Sequence, residues 1–285
     1  MFLYVNGAIV SKEQAMVSVF DHGYMYGLGV FETFRVDNGH PFLLDDHFQR
    51  LREGLMELGV NWTMTKEEIL HVIDQLLQAN QLESAYVRWN VAAGPQDLGL
   101  YTGEYTEPTT IVFMKPLPAS SSEKDATILA IKRNTPEGVS RLKSHHYLNN
   151  VLAKRELGDA NKDKEGIFLT KSGFVAEGIV SNVFWVKDKV VYTPAVETGI
   201  LNGITRLFVL KLLHKKAVRV EIGYYPEQQL LQADEAFITN SIQEIVSLRS
   251  IDDYEYKGRM IADDLRQAFH KYREKLWSRS EVMEE

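Results

Sequence analysis

The sequence predicts an α/β protein of the α+β type, with a smaller N-terminal lobe and a larger C-terminal lobe. Strand-like and helix-like hydrophobic patterns alternate along the 285 residues. The chain opens with two short apolar runs separated by Asn6-Gly7, which is a strong hairpin signal. A Pro- and Ser-rich stretch at 116–123 then interrupts the hydrophobic periodicity. We therefore predict an N-terminal α/β domain over 1–115, a linker over 116–123 and a C-terminal domain over 124–285.

The N-terminal lobe is predicted to combine strands with two helices. Strands are indicated where apolar residues alternate or run between turn signals, at 2–5, 8–10, 31–36, 85–92 and 110–114. The first helix covers 41–59, where apolar residues recur on one face. The second follows the capping sequence Thr65-Lys66-Glu67-Glu68 and runs to about residue 80.

The C-terminal lobe shows the same mixture. Its predicted strands are 126–132, 166–169, 183–186 and 190–192. Its predicted helices are 148–160, 204–213 and 261–277. The sequence shows no internal repeat and no low-complexity tract.

Composition narrows the classes of function. The formal net charge of −7 lacks the basic footprint of a nucleic-acid-binding protein, so no nucleic-acid partner is expected. The absence of cysteine excludes disulfides, thiolate nucleophiles and zinc–thiolate sites. No run of eighteen apolar residues and no secretory signal stand out, so we expect no membrane span and a cytoplasmic location. An acidic chain that binds an anion needs a local pocket of arginines or backbone N–H groups.

Three segments carry residues suited to chemistry. The first, 21–35, holds three glycines within seven residues and leads into a strand, which alone is a weak phosphate-loop candidate against a plain surface loop. The second, 141–154, places Lys143 ahead of a helix, where a solvated surface lysine is the ordinary alternative. Its paired His145 and His146 make a poor metal site, because adjacent side chains of an extended chain point to opposite faces.

The third segment runs from Val175 to Phe184 and continues at 198–206. Its second part is glycine-rich, contains a threonine and opens a helix. Backbone N–H groups at a helix start, together with a hydroxyl, are suited to binding phosphate. Glu177 considered alone would be a solvated carboxylate.

In this order, the three segments resemble fold-type IV pyridoxal 5'-phosphate (PLP) enzymes. This family contains the branched-chain and D-amino-acid aminotransferases and the aminodeoxychorismate lyases. The most specific blocks are Glu177-Gly178 with Ser181-Asn182-Val183-Phe184, and Gly199-Ile200-Leu201-Asn202-Gly203-Ile204-Thr205-Arg206. The resemblance extends from Tyr4-Val5-Asn6-Gly7 to Phe237-Ile238-Thr239-Asn240-Ser241. It implies a two-domain fold-type IV enzyme whose C-terminal domain binds PLP.

The resemblance also implies roles for individual residues. Lys143 matches the family's Schiff-base lysine, whereas Lys154 belongs to the following helix. Glu177 matches the carboxylate facing the pyridine nitrogen, and Arg50 matches the arginine that grips the cofactor phosphate. The remaining implied cofactor-binding residues are Ser181, Asn182, Leu201 against the ring, Gly203, Ile204, Thr205, Asn240 and Ser241.

Within the family, the details around one strand favour the lyases. Phe31 stands where D-amino-acid aminotransferases have tyrosine, and Ala92-Ala93-Gly94 replaces their Thr-Arg-Gly. Thr33 replaces the glycine usual in branched-chain enzymes and resembles the lyases of Gram-positive bacteria. The implied reaction is elimination from 4-amino-4-deoxychorismate to 4-aminobenzoate and pyruvate in folate biosynthesis, with Lys143 and Thr33 catalytic and Phe31 binding substrate.

Several alternatives stay open at this point. Arg88 is a candidate for a substrate carboxylate, although a strand arginine is more often a structural ion-pair partner. The chain could instead be a branched-chain or D-amino-acid aminotransferase, or a PLP-binding protein without catalysis. A homodimer is expected from the resemblance.

Overall fold

The computed structural model describes residues 1–119, 121–161 and 163–282, which fall into two compact units. Unit 1 comprises Met1–Pro118 together with two later segments, Lys143–His146 and Arg273–Ser278. Unit 2 comprises Ala119–Leu142, Tyr147–Tyr272 and the chain from Arg279 on. The fold-class prediction, a mixed α/β chain, is confirmed. The later segments of unit 1 lie within the range predicted as C-terminal domain, so neither unit is a continuous stretch of chain.

Unit 1 is built on a six-stranded antiparallel sheet of order β2-β1-β6-β5-β3-β4. The strands are β1 (Phe2–Val5), β2 (Ala8–Ser11), β3 (Gly29–Asp37), β4 (His40–Pro41), β5 (Ala85–Ala92) and β6 (Thr109–Lys115). The helices are α1 (His22–Tyr26), α2 (Leu44–Glu57) and α3 (Lys66–Asn80).

The apolar face of α2 packs on this sheet. The Phe48 ring lies edge-on to Phe34 of β3 and to Trp89 of β5, with ring centroids 6.0 and 5.1 Å away. All three side chains are buried, and edge-to-face contacts of this kind favour one packing arrangement. Helix α3 begins with the predicted capping box, in which Thr65 and Glu68 each accept the other's backbone N–H.

Unit 2 is built on a nine-stranded mixed sheet of order β12-β11-β10-β13-β14-β7-β8-β9, with β15 also paired to β14. The strands are β7 (Glu123–Ile128), β8 (Glu165–Leu169), β9 (Val175–Gly178), β10 (Asn182–Lys187), β11 (Val190–Pro194), β12 (Val220–Gly223), β13 (Glu235–Asn240), β14 (Glu244–Ile251) and β15 (Tyr254–Glu255). The helices are α4 (Leu148–Leu157), α5 (Ile204–Lys215), α6 (Glu227–Leu231) and α7 (Met260–Tyr272). Helices α5 and α7 meet through Phe208 and Phe269, whose ring centroids are 5.3 Å apart.

Two predicted boundaries in unit 2 are wrong, and both errors have a long-range cause. Strand β7 was predicted at 126–132 but begins at Glu123, because it pairs in parallel with β14 from that residue. The last helix was predicted to reach 277 but ends at Tyr272. The chain then joins unit 1, where the Leu276 carbonyl accepts the Leu43 N–H at 3.1 Å. Of the predicted linker 116–123, Ser120 lies outside the described residues.

No helix in the described ranges is long and apolar enough to cross a membrane. Within those same ranges, no group of three or more His, Cys, Asp or Glu side chains is placed to hold a metal ion.

Candidate active site

Lys143 lies at the edge of the sheet of unit 1, beside β3. Its carbonyl accepts the N–H of Phe31 at 2.9 Å, and Ser144 forms a bridge with Val30. The Lys143 ammonium nitrogen lies 4.3 Å from the centroid of the Phe31 ring. The guanidinium carbon of Arg88, on β5, lies 3.6 Å from the same centroid. The structure therefore brings three predicted site residues together around one aromatic ring, where cation–π attraction orients both cations.

The glycines of the first motif make room for the segment that carries Lys143. Gly27 ends α1 with a φ of 71°, and Gly29 opens β3. A Cβ at Gly29 would stand 2.5 Å from the His145 ring, and one at Gly27 would stand 2.7 Å from His146. Only glycine permits this approach, so here the glycines serve the close packing of 143–146.

The two histidines differ in environment, as expected for adjacent residues of an extended chain. His145 stacks on the Phe31 ring at 6.2 Å, whereas His146 is exposed. Burial, with a further contribution from Arg88, lowers the pKa of His145 to about 4. His145 is therefore a neutral aromatic wall next to Lys143 at physiological pH.

Thr33 lies on the same sheet face as Phe31, since alternate residues of a strand share a face. It pairs across the sheet with Arg88 and is half-buried. Arg88 donates its Nε–H to Asn90 Oδ1 at 3.0 Å. The face of β3 and β5 next to Lys143 thus carries a hydroxyl, an aromatic ring and a guanidinium within one small area.

Arg50, predicted to grip a phosphate, projects from α2 and is held by a buried carboxylate. Its Nε and one terminal nitrogen donate to the two oxygens of Glu32, both at 2.7 Å. His47 Nδ1 lies 2.7 Å from the same carboxylate. Burial alone would raise the pKa of Glu32, but Arg50 and His47 lower it to about 2. The orientation of Arg50 is therefore fixed by a charged, fully buried partner.

This network should make the stability of the protein depend on pH. Because the folded pKa of Glu32 is below its ordinary value of 4.5, its contribution is complete above that value and is lost as the pH falls toward 2. The shift corresponds to about 3 kcal/mol of unfolding free energy. Urea unfolding of the wild type and Glu32→Gln should show a gap at pH 6 that narrows by pH 3. A gap that does not change with pH would contradict the assignment.

Glu177 is the centre of the site residues in unit 2, at the end of β9. Its Oε1 accepts from Arg133 Nε at 2.8 Å, and its Oε2 accepts the N–H of Leu201 at 3.0 Å. Asn182 Nδ2 lies 3.4 Å from Oε2. Burial raises the pKa of Glu177, and Arg133 and Arg141 oppose that rise. The carboxylate is thus fixed in direction and surrounded by donors.

Sequence reasoning missed the three arginines around Glu177. Arg133 bonds it directly, Arg141 Nε lies 3.9 Å from it, and Arg206 is buried on α5. Burial lowers the pKa of both Arg141 and Arg206 to about 10. An acidic protein therefore contains a local surplus of buried positive charge, suited to an anionic ligand. Arg141 and Arg206 stood inside the motifs, but nothing in their spacing marked them.

The start of α5 has the features predicted for phosphate binding. Gly203 is its N-cap and makes no side-chain capping bond, so the first turn lacks a side-chain acceptor. A Cβ at Gly203 would stand 2.1 Å from Asn182 Oδ1. Thr205 Oγ1 lies 3.3 Å from Ser241 Oγ, which places two hydroxyls beside the first turn of the helix, with Ile204 as its first residue.

Three other predicted cofactor residues bond to protein groups in the structure. Ser181 donates its hydroxyl to the buried Glu165 at 3.1 Å. Asn182 donates to the Leu201 carbonyl at 2.8 Å and so holds the loop before α5. Asn240 accepts the N–H groups of Ile242 and Gln243 in the turn after β13. Their assignment as cofactor contacts stays a prediction.

The predicted residues thus form two groups. Unit 1 carries Lys143, Phe31, Thr33, Arg88 and Arg50. Unit 2 carries Glu177, Ser181, Asn182, Leu201, Gly203, Ile204, Thr205, Asn240 and Ser241. The residues of unit 2 fit PLP: a buried carboxylate suits a pyridinium nitrogen, and a helix start with two hydroxyls suits a phosphate.

Comparison with known proteins decides the family. The family model described as "Amino-transferase class IV" matches residues 29–251, which is most of the chain. This chain belongs to the class IV aminotransferase family. The prediction from the motifs is therefore confirmed at the level of the family.

Relatives within the class IV family have more than one activity. The aminodeoxychorismate lyase of Bacillus subtilis (strain 168) is 47% identical over 258 residues, covering 89% of this chain and 88% of the relative. A putative branched-chain-amino-acid aminotransferase of Methanocaldococcus jannaschii is 36% identical over 96% of both chains. The crystal structure of the Escherichia coli branched-chain amino acid aminotransferase has a TM-score of 0.86 and 28% identity, covering 95% of this chain and 94% of that chain.

A further class IV structure carries a cofactor form. This crystal structure, of a second bacterial branched-chain amino acid aminotransferase with pyridoxamine 5'-phosphate, has a TM-score of 0.83 and 27% identity. The match covers 95% of this chain and 93% of that chain.

Proposed function

We propose that this class IV protein is a PLP-dependent aminodeoxychorismate lyase, a carbon–oxygen lyase that converts 4-amino-4-deoxychorismate to 4-aminobenzoate and pyruvate. The observation that carries the proposal is the 47% identity to the Bacillus subtilis lyase over 89% of the chain. The face of β3 supports it, because Thr33 and Phe31 stand beside Lys143. The family and the structure with pyridoxamine 5'-phosphate support PLP as the cofactor.

The proposed chemistry divides among a few side chains. PLP, when bound, withdraws electrons from the substrate carbon that carries the amine. Lys143 Nζ is the base that removes the proton from that ring carbon. The bond between the ring and the ether oxygen then breaks, and the departing enolpyruvyl group takes up a proton to become pyruvate. Thr33 is the group placed to position or donate that proton, and Glu177 holds the negative charge opposite the ring nitrogen.

Arg88 is proposed to bind a carboxylate of the substrate. Its guanidinium is held against Phe31 and bonded to Asn90, so its direction is set before a ligand arrives. Arg88→Gln should raise KM about ten- to a hundredfold with a smaller change in kcat, since a charge-assisted bond is lost. Steady-state kinetics check this, with Arg88→Lys as the charge-conserving control. A kcat loss at unchanged KM would favour the structural alternative.

An aminotransferase is the second candidate, because the 36%-identical archaeal relative is named as a branched-chain enzyme. Mixing the PLP-loaded protein with L-leucine or D-alanine, without a 2-oxo acid, separates the two. An aminotransferase releases one equivalent of 2-oxo acid per site, whereas the proposed lyase releases none. One equivalent from either amino acid would favour the aminotransferase.

The remaining features of the proposal follow the sequence predictions. We propose a homodimer, a cytoplasmic location, and a division of the chain into two domains near 116–123. Sedimentation of the purified protein tests the first of these directly.

A further inference from the structure

Arg133 is the direct ionic partner of Glu177 and has no role in the sequence motifs. It follows β7, and its side chain is only 6% exposed. Its Nε donates to Glu177 Oε1 at 2.8 Å. One terminal nitrogen of the same guanidinium donates to Asn149 at 2.7 Å and lies 3.3 Å from Asn150. Arg133 therefore ties the carboxylate at the end of β9 to the first turn of α4.

The other end of this network is also anchored within unit 2. Asn149 Nδ2 donates to the Lys132 carbonyl at 3.1 Å, and Asn150 Nδ2 donates to the Ile179 carbonyl. The guanidinium is rigid and planar, so these bonds fix the direction of the Nε–H that meets Glu177. A lysine at 133 could keep the charge but could not bond to β9 and α4 in this fixed geometry.

The bonding of Glu177 leaves room for one more donor. A carboxylate has about four acceptor positions. Among the described residues, three are taken by the Nε–H of Arg133, the N–H of Leu201 and the amide of Asn182. The remaining position fits a single cationic N–H, such as a protonated ring nitrogen.

We propose that Arg133 is the positioning residue that aims the remaining acceptor of Glu177 at the ring nitrogen of the cofactor and keeps that carboxylate negatively charged. This inference rests on the proposed cofactor site. It does not depend on whether the reaction is elimination or transamination. Without Arg133, Oε1 loses its donor, and burial then favours the neutral carboxyl, which is a weaker acceptor for a cation.

The test compares two cofactors on the full-length protein, freed of cofactor and loaded again. One is PLP, and the other is 1-deaza-PLP, whose ring nitrogen is replaced by carbon. The ratio of their dissociation constants isolates the contact with the ring nitrogen, because the phosphate and aldehyde are shared. Arg133→Gln should reduce the preference for PLP about tenfold or more, the usual size of a lost charge-assisted bond. Arg133→Lys should give part of that reduction.

Two further variants complete the design. Glu177→Gln should reduce the preference as much as Arg133→Gln does. Arg266→Gln is the matched control, since Arg266 likewise ties a strand to a helix in unit 2 through Ile245 and Asp263. It should leave the preference unchanged.

Two results would overturn the proposal. An equal loss of affinity for both cofactors in Arg133→Gln and Arg133→Lys would show that Arg133 only supports the fold. An unchanged preference in Glu177→Gln would show that Glu177 does not face the ring nitrogen, and the role of Arg133 would fail with it. Neither result involves a substrate, so failure here is distinguishable from failure of the lyase assignment.

Discussion

Lys143→Ala should abolish the yellow absorbance of the PLP-loaded protein and reduce turnover by about a thousandfold or more. The variant loses the only group proposed both to hold the cofactor covalently and to move the substrate proton. The lysine backbone is held beside β3 by the bonds of 143–146 with Gly29 and Phe31. Truncating the side chain should therefore leave the fold of unit 1 intact, which circular dichroism and thermal melting check.

The control is Lys154→Ala, which changes an exposed lysine of α4. It should retain both the absorbance and the activity, since an exposed lysine contributes little. Retention of the yellow band and of turnover by Lys143→Ala would contradict the assignment. Loss of both properties in Lys154→Ala, with Lys143→Ala unaffected, would transfer the role to Lys154.

Thr33→Val should reduce kcat by about a hundred- to ten-thousandfold, the usual range for loss of a positioned proton donor. Valine keeps the shape of threonine and suits a β-strand, so β3 and its pairing with Arg88 should persist. Thr33→Ser keeps a hydroxyl and should retain most of the activity. The measurement is the single-turnover rate of 4-aminobenzoate release, which excludes effects on product release.

The Thr33 assignment also predicts what should not change. The absorbance of the cofactor bound to Lys143 should be the same in Thr33→Val and in the wild type. If Thr33→Val turned over at the wild-type rate, the hydroxyl would have no part in the chemistry. A proton donor would then have to be sought elsewhere, with the half-buried Tyr147 the nearest hydroxyl along the chain after Lys143 and Ser144.

The sequence predicted those parts of the site that lie in local motifs. Lys143, Glu177 and the Gly203-Ile204-Thr205 helix start stand in fixed order along the chain, and the structure places the last two groups in one unit. The partners of these residues were not predicted. Arg133 meets Glu177 across 44 residues of chain, and its carboxylate partner is fixed by the packing of β9 rather than by any local pattern.

The same distinction holds for the fold. The Asn6-Gly7 hairpin and the Thr65 capping box are local, and the structure shows both. The start of β7 and the end of α7 depend on distant partners, β14 and Leu43, so periodicity misplaced them. The glycines at 27 and 29 were noticed, but their purpose was not. They adjoin His145 and His146, more than a hundred residues later in the chain.

The most direct test of the central claim is turnover of 4-amino-4-deoxychorismate by the PLP-loaded protein with no 2-oxo acid present. Fluorescence follows 4-aminobenzoate, and a coupled dehydrogenase follows pyruvate. A lyase should release the two products in equal amounts over many turnovers, because elimination regenerates the enzyme without a second substrate. No product from a yellow, PLP-loaded protein would contradict the claim and would favour an aminotransferase of D- or branched-chain amino acids.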